Sequence, residues 1–118
     1  MPLCEQETGR TFQVQLETPE GRNTIFCNSD EYIWYAAARN GIALPAVCRQ
    51  GRCLSCAGRV LSGIVDQSDA DSVFPEDKRS GFVLLCRARP CSDLVILTHQ
   101  QWEMRSHRVE HNLPAPYM

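Results

Sequence analysis

With 118 residues, the chain is long enough for one domain with a modest core, and its composition, 43% hydrophobic and 22% charged, is that of a globular protein. No apolar run approaches the roughly 20 residues that cross a bilayer, so we expect no stable membrane insertion. The net charge of −2 is nearly neutral and gives no reason to expect nucleic-acid binding. The first residues lack the basic and apolar segments of a secretory signal. We therefore expect a cytoplasmic protein, or a stromal one if a plastid transit peptide has been removed.

The first predicted elements are two strands that form a hairpin. Residues 11–17 alternate apolar and polar side chains, so the apolar ones share one face of a strand. These are Phe12, Val14 and Leu16. Residues 19–21 are typical of a turn, and residues 23–27 would form the returning strand.

A helix is predicted to follow the hairpin. Ser29 or Asp30 can cap its start, and Gly41 is placed to end it after about Asn40. The buried stripe would consist of Ile33, Ala36 and Ala37, broadened by Trp34.

The second half of the chain predicts short strands around one small helix. Residues 59–65 are interpreted as a short hairpin that turns at residues 62–63. Residues 74–81 would hold a helix with Pro75 near its first turn, and residues 93–98 a final strand. A small mixed sheet crossed by one helix is the summary of these elements, which predicts the α+β class.

Four of the seven cysteines stand at the spacing of an iron–sulfur ligand set. They form a C-x4-C-x2-C pattern and a further cysteine after 29 intervening residues, and they are Cys48, Cys53, Cys56 and Cys86. This is the plant-type [2Fe–2S] spacing, in which a short loop points several thiolates at one centre and a distant cysteine closes the site. Small residues in the loop would let backbone N–H groups approach the sulfurs, namely Gly51, Ser55, Ala57 and Gly58.

A structural zinc site is the main alternative, because C-x2-C also begins many zinc motifs. Zinc usually draws on two short paired motifs, whereas here three clustered cysteines meet a single distant one. The odd number of cysteines argues against a complete set of disulfides. We interpret Cys4 as a loose terminal thiol and Cys27 as a small core residue. Cys91, five residues beyond Cys86, is near enough for redox chemistry, but we interpret it as a substitution without a role.

From about residue 11 to residue 99, the chain resembles the plant and cyanobacterial [2Fe–2S] ferredoxins. Besides the cysteines, the shared motifs are Asp30-Glu-Tyr-Ile, Leu44-Pro45, Cys56-Ala-Gly, Ser62-Gly-x-Val-Asp-Gln-Ser-Asp69, Gly81-Phe-Val-Leu-x-Cys86 and Pro90-x-Ser-Asp93. The resemblance implies the β-grasp fold. It divides the chain into an N-terminal segment 1–10, a ferredoxin-type domain 11–99 and an extension 100–118, similar to the subgroup with an extended C-terminus.

The resemblance also implies the cofactor and the function. Cys48 and Cys53 would hold one iron of a [2Fe–2S] cluster, and Cys56 and Cys86 the other. The protein would be a monomeric one-electron carrier without substrate chemistry, working at a potential of roughly −400 mV. Its partners would be an electron donor, such as a photosystem or a reductase, and an acceptor enzyme.

The departures from this family concern charge. Residues 34–39 read Trp-Tyr-Ala-Ala-Ala-Arg where the family usually has several acids, and Gln101 and Trp102 replace a pair of glutamates. The stretch from Arg39 to Arg59, both included, contains four arginines and no acid. The main partner is therefore predicted to differ from the usual NADP reductase. A dedicated component of one oxygenase or assembly system is the alternative function, and a structural zinc protein the remote one.

The C-terminal extension predicts a short helix that ends before Pro114. Trp102, Arg105 or Ser106, and Val109 would share one side of it and pack against the domain, and covering a partner site is the alternative role. His107 and His111 stand at i, i+4 and could grip a metal, although solvated histidines are favoured.

Overall fold

The computed structural model describes residues 10–45, 54–70 and 73–113. The strands there are β1 (Thr11–Thr18), β2 (Gly21–Asn28), β3 (Ala57–Ser62), β4 (Val65–Asp66), β5 (Phe82–Leu84), β6 (Arg89–Pro90) and β7 (Leu94–Leu97). The helices are α1 (Ile33–Arg39), α2 (Pro75–Arg79) and α3 (Gln101–Glu110), with a 3-10 turn at Leu85–Arg87. Within these described ranges, no helix is long and apolar enough to cross a membrane.

A mixed five-stranded sheet organises the domain. Its strand order is β2-β1-β7-β3-β5, and β1 runs parallel to β7 while the other neighbours are antiparallel. The predicted first hairpin is confirmed, and its alternation buries Phe12, Val14 and Leu16. The mixed sheet with few helices confirms the α+β class and the β-grasp fold.

Helix α1 begins later than predicted. Tyr32 is its N-cap, whereas Ser29 and Asp30 lie before it. The reason is that the chain first makes a turn, in which the N–H of Glu31 donates to the Asn28 carbonyl and the N–H of buried Ser29 donates to the Arg10 carbonyl. The predicted buried stripe is confirmed, since Ile33, Ala36 and Ala37 are all fully buried.

The predicted hairpin over residues 59–65 is wrong. Strand β3 pairs with β5 and β7, while β4 pairs with β6 in a separate two-stranded sheet. Gly63 separates the two sheets with a φ of 101°, and a Cβ there would lie 2.3 Å from the Asp93 carbonyl oxygen. The chain therefore leaves the main sheet at Gly63 instead of folding back on itself.

Two apolar clusters form the core, and β5 contributes to both. Val83 belongs to the cluster that α1 covers, whereas Phe82 and Leu84 belong to a second cluster. Because successive side chains of a strand point to opposite faces, the two clusters lie on opposite sides of this strand. The second cluster contains Leu54, Cys56, Ala57, Phe82, Leu84, Cys86 and Met104.

The extension forms the predicted helix, α3, but the predicted packing face is wrong. Trp102 and Val109 are 64% and 62% exposed, and the buried residues are Met104, His107 and Arg108. The reason is a specific partner, because buried Asp77 of α2 attracts the side chains of His107 and Arg108. The hydrophobic pattern by itself therefore predicts the wrong buried face for α3.

Candidate metal centre

Two of the four predicted ligands come together where β3 and β5 pair. Cys56 immediately precedes β3, and Cys86 lies in the 3-10 turn that follows β5. The pairing of Ala57 with Leu84 fixes their relative position, and the N–H of Leu85 donates to the Cys56 carbonyl at 3.2 Å. A strand pair thus brings together two cysteines that are thirty residues apart in the chain.

The two sulfur atoms lie close enough together to bind a common metal. The Sγ atoms of Cys56 and Cys86 lie 3.1 Å apart, and neither cysteine is in a disulfide. Their exposed fractions are only 2% and 0%. A pair of buried thiolates in contact would repel strongly without a cation between them, so this donor pair fits a metal.

The other two predicted ligands, Cys48 and Cys53, lie outside the described residues. Among the residues that are described, no group of three or more potential ligand side chains occurs. Cys56 and Cys86 are therefore one half of the predicted set, and the pairing of all four remains a prediction.

Gln67 positions the strand that leads to Cys86, and the sequence analysis assigned it no role. Its side chain is buried, its Nε2 donates to the Phe82 carbonyl at 3.1 Å, and its Oε1 accepts from the N–H of Leu84 at 3.0 Å. Strand β5 is an edge strand, so this amide replaces the missing neighbour strand. The only sequence signal was its place inside a shared ferredoxin motif.

Comparison with known proteins identifies the family. The family model of the 2Fe-2S iron-sulfur cluster binding domain matches residues 17–91. "Ferredoxin-2" of Synechococcus is 44% identical over 94 residues, which cover 80% of this chain and 90% of that protein. The chain belongs to the 2Fe-2S ferredoxin family. "Ferredoxin-6, chloroplastic" of maize is 38% identical over 78% of this chain and 60% of that protein.

The solved structures agree with the ferredoxin fold. Pectocin M2 has a TM-score of 0.72 and 30% identity over 86% of this chain, and the chain spans 41% of that protein. As a ferredoxin, the chain is an electron carrier with a [2Fe–2S] cofactor rather than an enzyme. The predicted family, fold and cofactor are confirmed.

Beside Cys86, this ferredoxin has a cluster of charged and aromatic side chains around Tyr32. The Tyr32 hydroxyl donates to Asp69 Oδ2 at 2.6 Å, and Arg87 Nη1 donates to the Tyr32 hydroxyl at 3.2 Å. The guanidinium carbons of Arg87 and Arg89 lie 5.2 and 5.3 Å from the centre of the Tyr32 ring. Arg89 also forms an ion pair with Asp69. Two cations therefore lie on one tyrosine next to the cysteine pair.

Arg39 shows that exposed arginines of this ferredoxin have partners. Arg39 Nε lies 2.7 Å from Glu31 Oε2, and Arg39 Nη2 donates to the Phe26 carbonyl at 2.9 Å. The hydrogen bond from Arg39 lowers the pKa of Glu31 below its usual range. The positive charge of Arg39 is thus partly balanced by its own neighbour, which weakens the basic field that the sequence suggests.

Cys27 is the small core residue that the sequence predicted. It is fully buried and unbonded to another cysteine. Burial, and to a lesser degree Glu31, raises the pKa of its thiol from 9.0 to about 12. Cys27 therefore remains a neutral thiol in the folded protein.

Two results are expected for Cys27. At pH 8, iodoacetamide should leave it unmodified in the folded protein and label it readily after unfolding, as peptide mass mapping would show. Between pH 9 and 12 its contribution should lower the free energy of unfolding as pH rises, because the unfolded thiol ionises first. Rapid labelling of Cys27 in the folded protein at pH 8 would contradict this environment.

The interpretation of Cys91 as a substitution without a role is wrong. Cys91 is disulfide-bonded.

The prediction that the histidines of α3 are solvated is wrong for His107, which is buried. His107 Nε2 lies 3.2 Å from Asp77 Oδ1, and His111 Nδ1 lies 2.8 Å from the His107 carbonyl oxygen. The two rings pack with centroids 4.3 Å apart. Both side chains thus help to fix the end of α3.

Proposed function

We propose that Cys48, Cys53, Cys56 and Cys86 hold the [2Fe–2S] cluster of this ferredoxin. The observation that carries the proposal is the 3.1 Å contact between the buried sulfurs of Cys56 and Cys86, which form no disulfide. When bound, the cluster accepts and releases one electron at a time. The domain that holds it would comprise residues 11–99, preceded by segment 1–10 and followed by extension 100–118.

The chain supports this chemistry by keeping water away from Cys56 and Cys86. Leu54, Phe82 and Leu84 surround the pair in one buried cluster. Gln67 holds the β5 backbone in place, as described above. Small structural change on electron transfer keeps the reorganisation energy low, so a rigid frame around the sulfurs favours rapid electron exchange.

We also propose a main partner other than the usual NADP reductase. Helix α1 contains no acid and exposes Tyr35, Ala38 and Arg39 to solvent, while Phe26 of the neighbouring β2 is 59% exposed. A basic enzyme that recognises carboxylates finds none on this helix, whereas an acidic or apolar surface would fit it. A dedicated oxygenase or assembly system is the alternative recipient.

Adding acids to α1 tests the proposed partner. An Ala38→Glu/Arg39→Gln variant is expected to speed electron transfer to a ferredoxin–NADP reductase at low salt, with the gain lost at high salt. The matched control is Thr24→Glu/Arg22→Gln, which makes the same charge change on exposed β2 and breaks the comparable Arg22–Glu17 pair. Fast, salt-insensitive transfer by the unmodified chain would contradict the proposal, as would equal gains in both variants.

Location and oligomeric state complete the proposal. The protein is a monomer that acts in the cytoplasm, or in the plastid stroma after removal of a transit peptide, and it belongs to the subgroup with an extended C-terminus. Size-exclusion chromatography coupled to light scattering tests the monomer. Iron and acid-labile sulfide in equal amounts would separate this reading from a structural zinc protein.

A further inference from the structure

Helix α3 is attached directly beside the cysteine pair. The N–H of Gln100, the N-cap residue of α3, donates to the carbonyl of Ala57 at 2.9 Å, and Ala57 follows Cys56 in the chain. One turn later, Met104 is fully buried in the same apolar cluster as Cys56 and Cys86. The extension thus contributes a side chain to the surroundings of the sulfurs.

A buried ion pair fixes the far end of the helix. Arg108 Nη2 lies 3.0 Å from Asp77 Oδ2, and both side chains are fully buried. The Arg108 guanidinium carbon lies 5.0 Å from the Phe74 ring centre, and His107 packs against Phe82 with ring centroids 5.1 Å apart. Such a pair is specific in position, because neither charge can move away without losing its partner in a dry environment. The position of Met104 between these two anchors is therefore tightly set.

The opposite side of α3 faces solvent. Trp102, Glu103, Ser106, Val109 and Glu110 are all exposed. The helix is consequently a single layer between water and the apolar core cluster of Cys56 and Cys86. Met104 is the residue of the helix that belongs to that core cluster. A layer of this kind controls how closely water approaches the sulfurs.

We propose that α3 is a fixed cover over the pair Cys56 and Cys86. In this cover, Met104 is a positioning residue that lowers the reduction potential of the [2Fe–2S] cluster by excluding water. The inference rests on the proposed cysteine ligands. The reduced cluster carries one more negative charge than the oxidised cluster, and water stabilises that extra charge. Excluding water therefore disfavours reduction and moves the potential to more negative values.

Substitutions at Met104 test the cover. Met104→Gln, which introduces a polar group of similar length, is expected to shift the potential to more positive values in an EPR-monitored titration. It should also increase the deuterium coupling of the reduced cluster in D₂O and speed cluster loss to EDTA. Met104→Leu, which conserves volume and polarity, should retain the unmodified values. Val109→Gln makes a polar change on the exposed side of the same helix and should leave all three measurements unchanged.

The outcomes separate this inference from the proposed ligands. If the unmodified protein contains a [2Fe–2S] cluster and Met104→Gln leaves both its potential and its deuterium coupling unchanged, the cover is disproved while the ligands stand. A positive shift for Val109→Gln as large as that for Met104→Gln would also overturn it. If Met104→Gln does not retain the cluster, the smaller apolar substitution Met104→Val provides the same comparison, again with a positive shift expected.

Discussion

A Cys86→Ala variant is expected to lose the [2Fe–2S] cluster completely. Cys86 is fully buried, its sulfur lies 3.1 Å from that of Cys56, and the described residues of its apolar core cluster include no further thiol besides these two. Alanine removes the ligand without adding a competing donor, and three remaining thiolates leave one iron with an open position. The measurement is the iron and acid-labile sulfide content of the purified protein, together with the EPR signal after reduction.

The matched control for this experiment is Cys27→Ala. Cys27 is also a fully buried, free cysteine, but it belongs to the cluster that α1 covers. Removing its sulfur should leave the iron and sulfide content unchanged and cost about 1 kcal/mol of stability through lost packing. Normal cluster content in Cys86→Ala, or cluster loss in both variants, would contradict the assignment of Cys86 as a ligand.

An Arg108→Met variant is expected to lower the free energy of unfolding by about 3–5 kcal/mol, because it leaves Asp77 buried without its cation. The Asp77 carboxylate is fully buried and accepts from the N–H of Phe74 at 3.0 Å within α2, while its pair with Arg108 ties α2 to α3. Water cannot replace the lost partner at a fully buried position. Guanidinium unfolding under anaerobic conditions, followed by far-UV circular dichroism at matched iron content, gives the difference.

An exposed ion pair of similar length provides the control. Arg22 lies 3.2 Å from Glu17, and its side chain is 65% exposed. Arg22→Met should therefore cost about 1 kcal/mol or less, since water replaces the lost partner. Comparable losses in Arg22→Met and Arg108→Met would show that burial does not strengthen the α2–α3 contact. In the double variant Asp77→Leu/Arg108→Met, much of the stability should return, because no charge is left buried.

The sequence predicted most strands correctly because their patterns are local. Alternation in residues 11–17 identifies the strand and its buried face, and the small helix with Pro75 in its first turn appears as expected. Helix α1 begins two or three residues later than predicted because a hydrogen-bonded turn competes with the helix after Asn28. The prediction of a hairpin over residues 59–65 was wrong for a different reason. A short hairpin and two strands that pair with distant partners have the same local pattern.

For the site, the sequence identified the sulfur chemistry and the structure supplied its surroundings. The cysteine spacing was sufficient to predict the cofactor, since few other sites use it. No local pattern could identify Gln67 as the group that completes the edge of β5, because its role depends on a strand fifteen residues later. The same limit applies to the arginines, whose charges the sequence counts but whose partners, such as Glu31 for Arg39, only the fold brings near.

By itself, the sequence determined that this protein carries electrons with a [2Fe–2S] cluster on a small α+β domain. Ligand spacing and strand alternation are properties of neighbouring residues, so they can be recognised without the fold. Only the tertiary structure decided which face of α3 is buried. Apolar content favoured Trp102 and Val109, but Asp77, 31 residues before Arg108, provides a buried charge that must be paired. That requirement turns α3 toward the domain through Arg108 and places Met104 in the apolar cluster of Cys56 and Cys86.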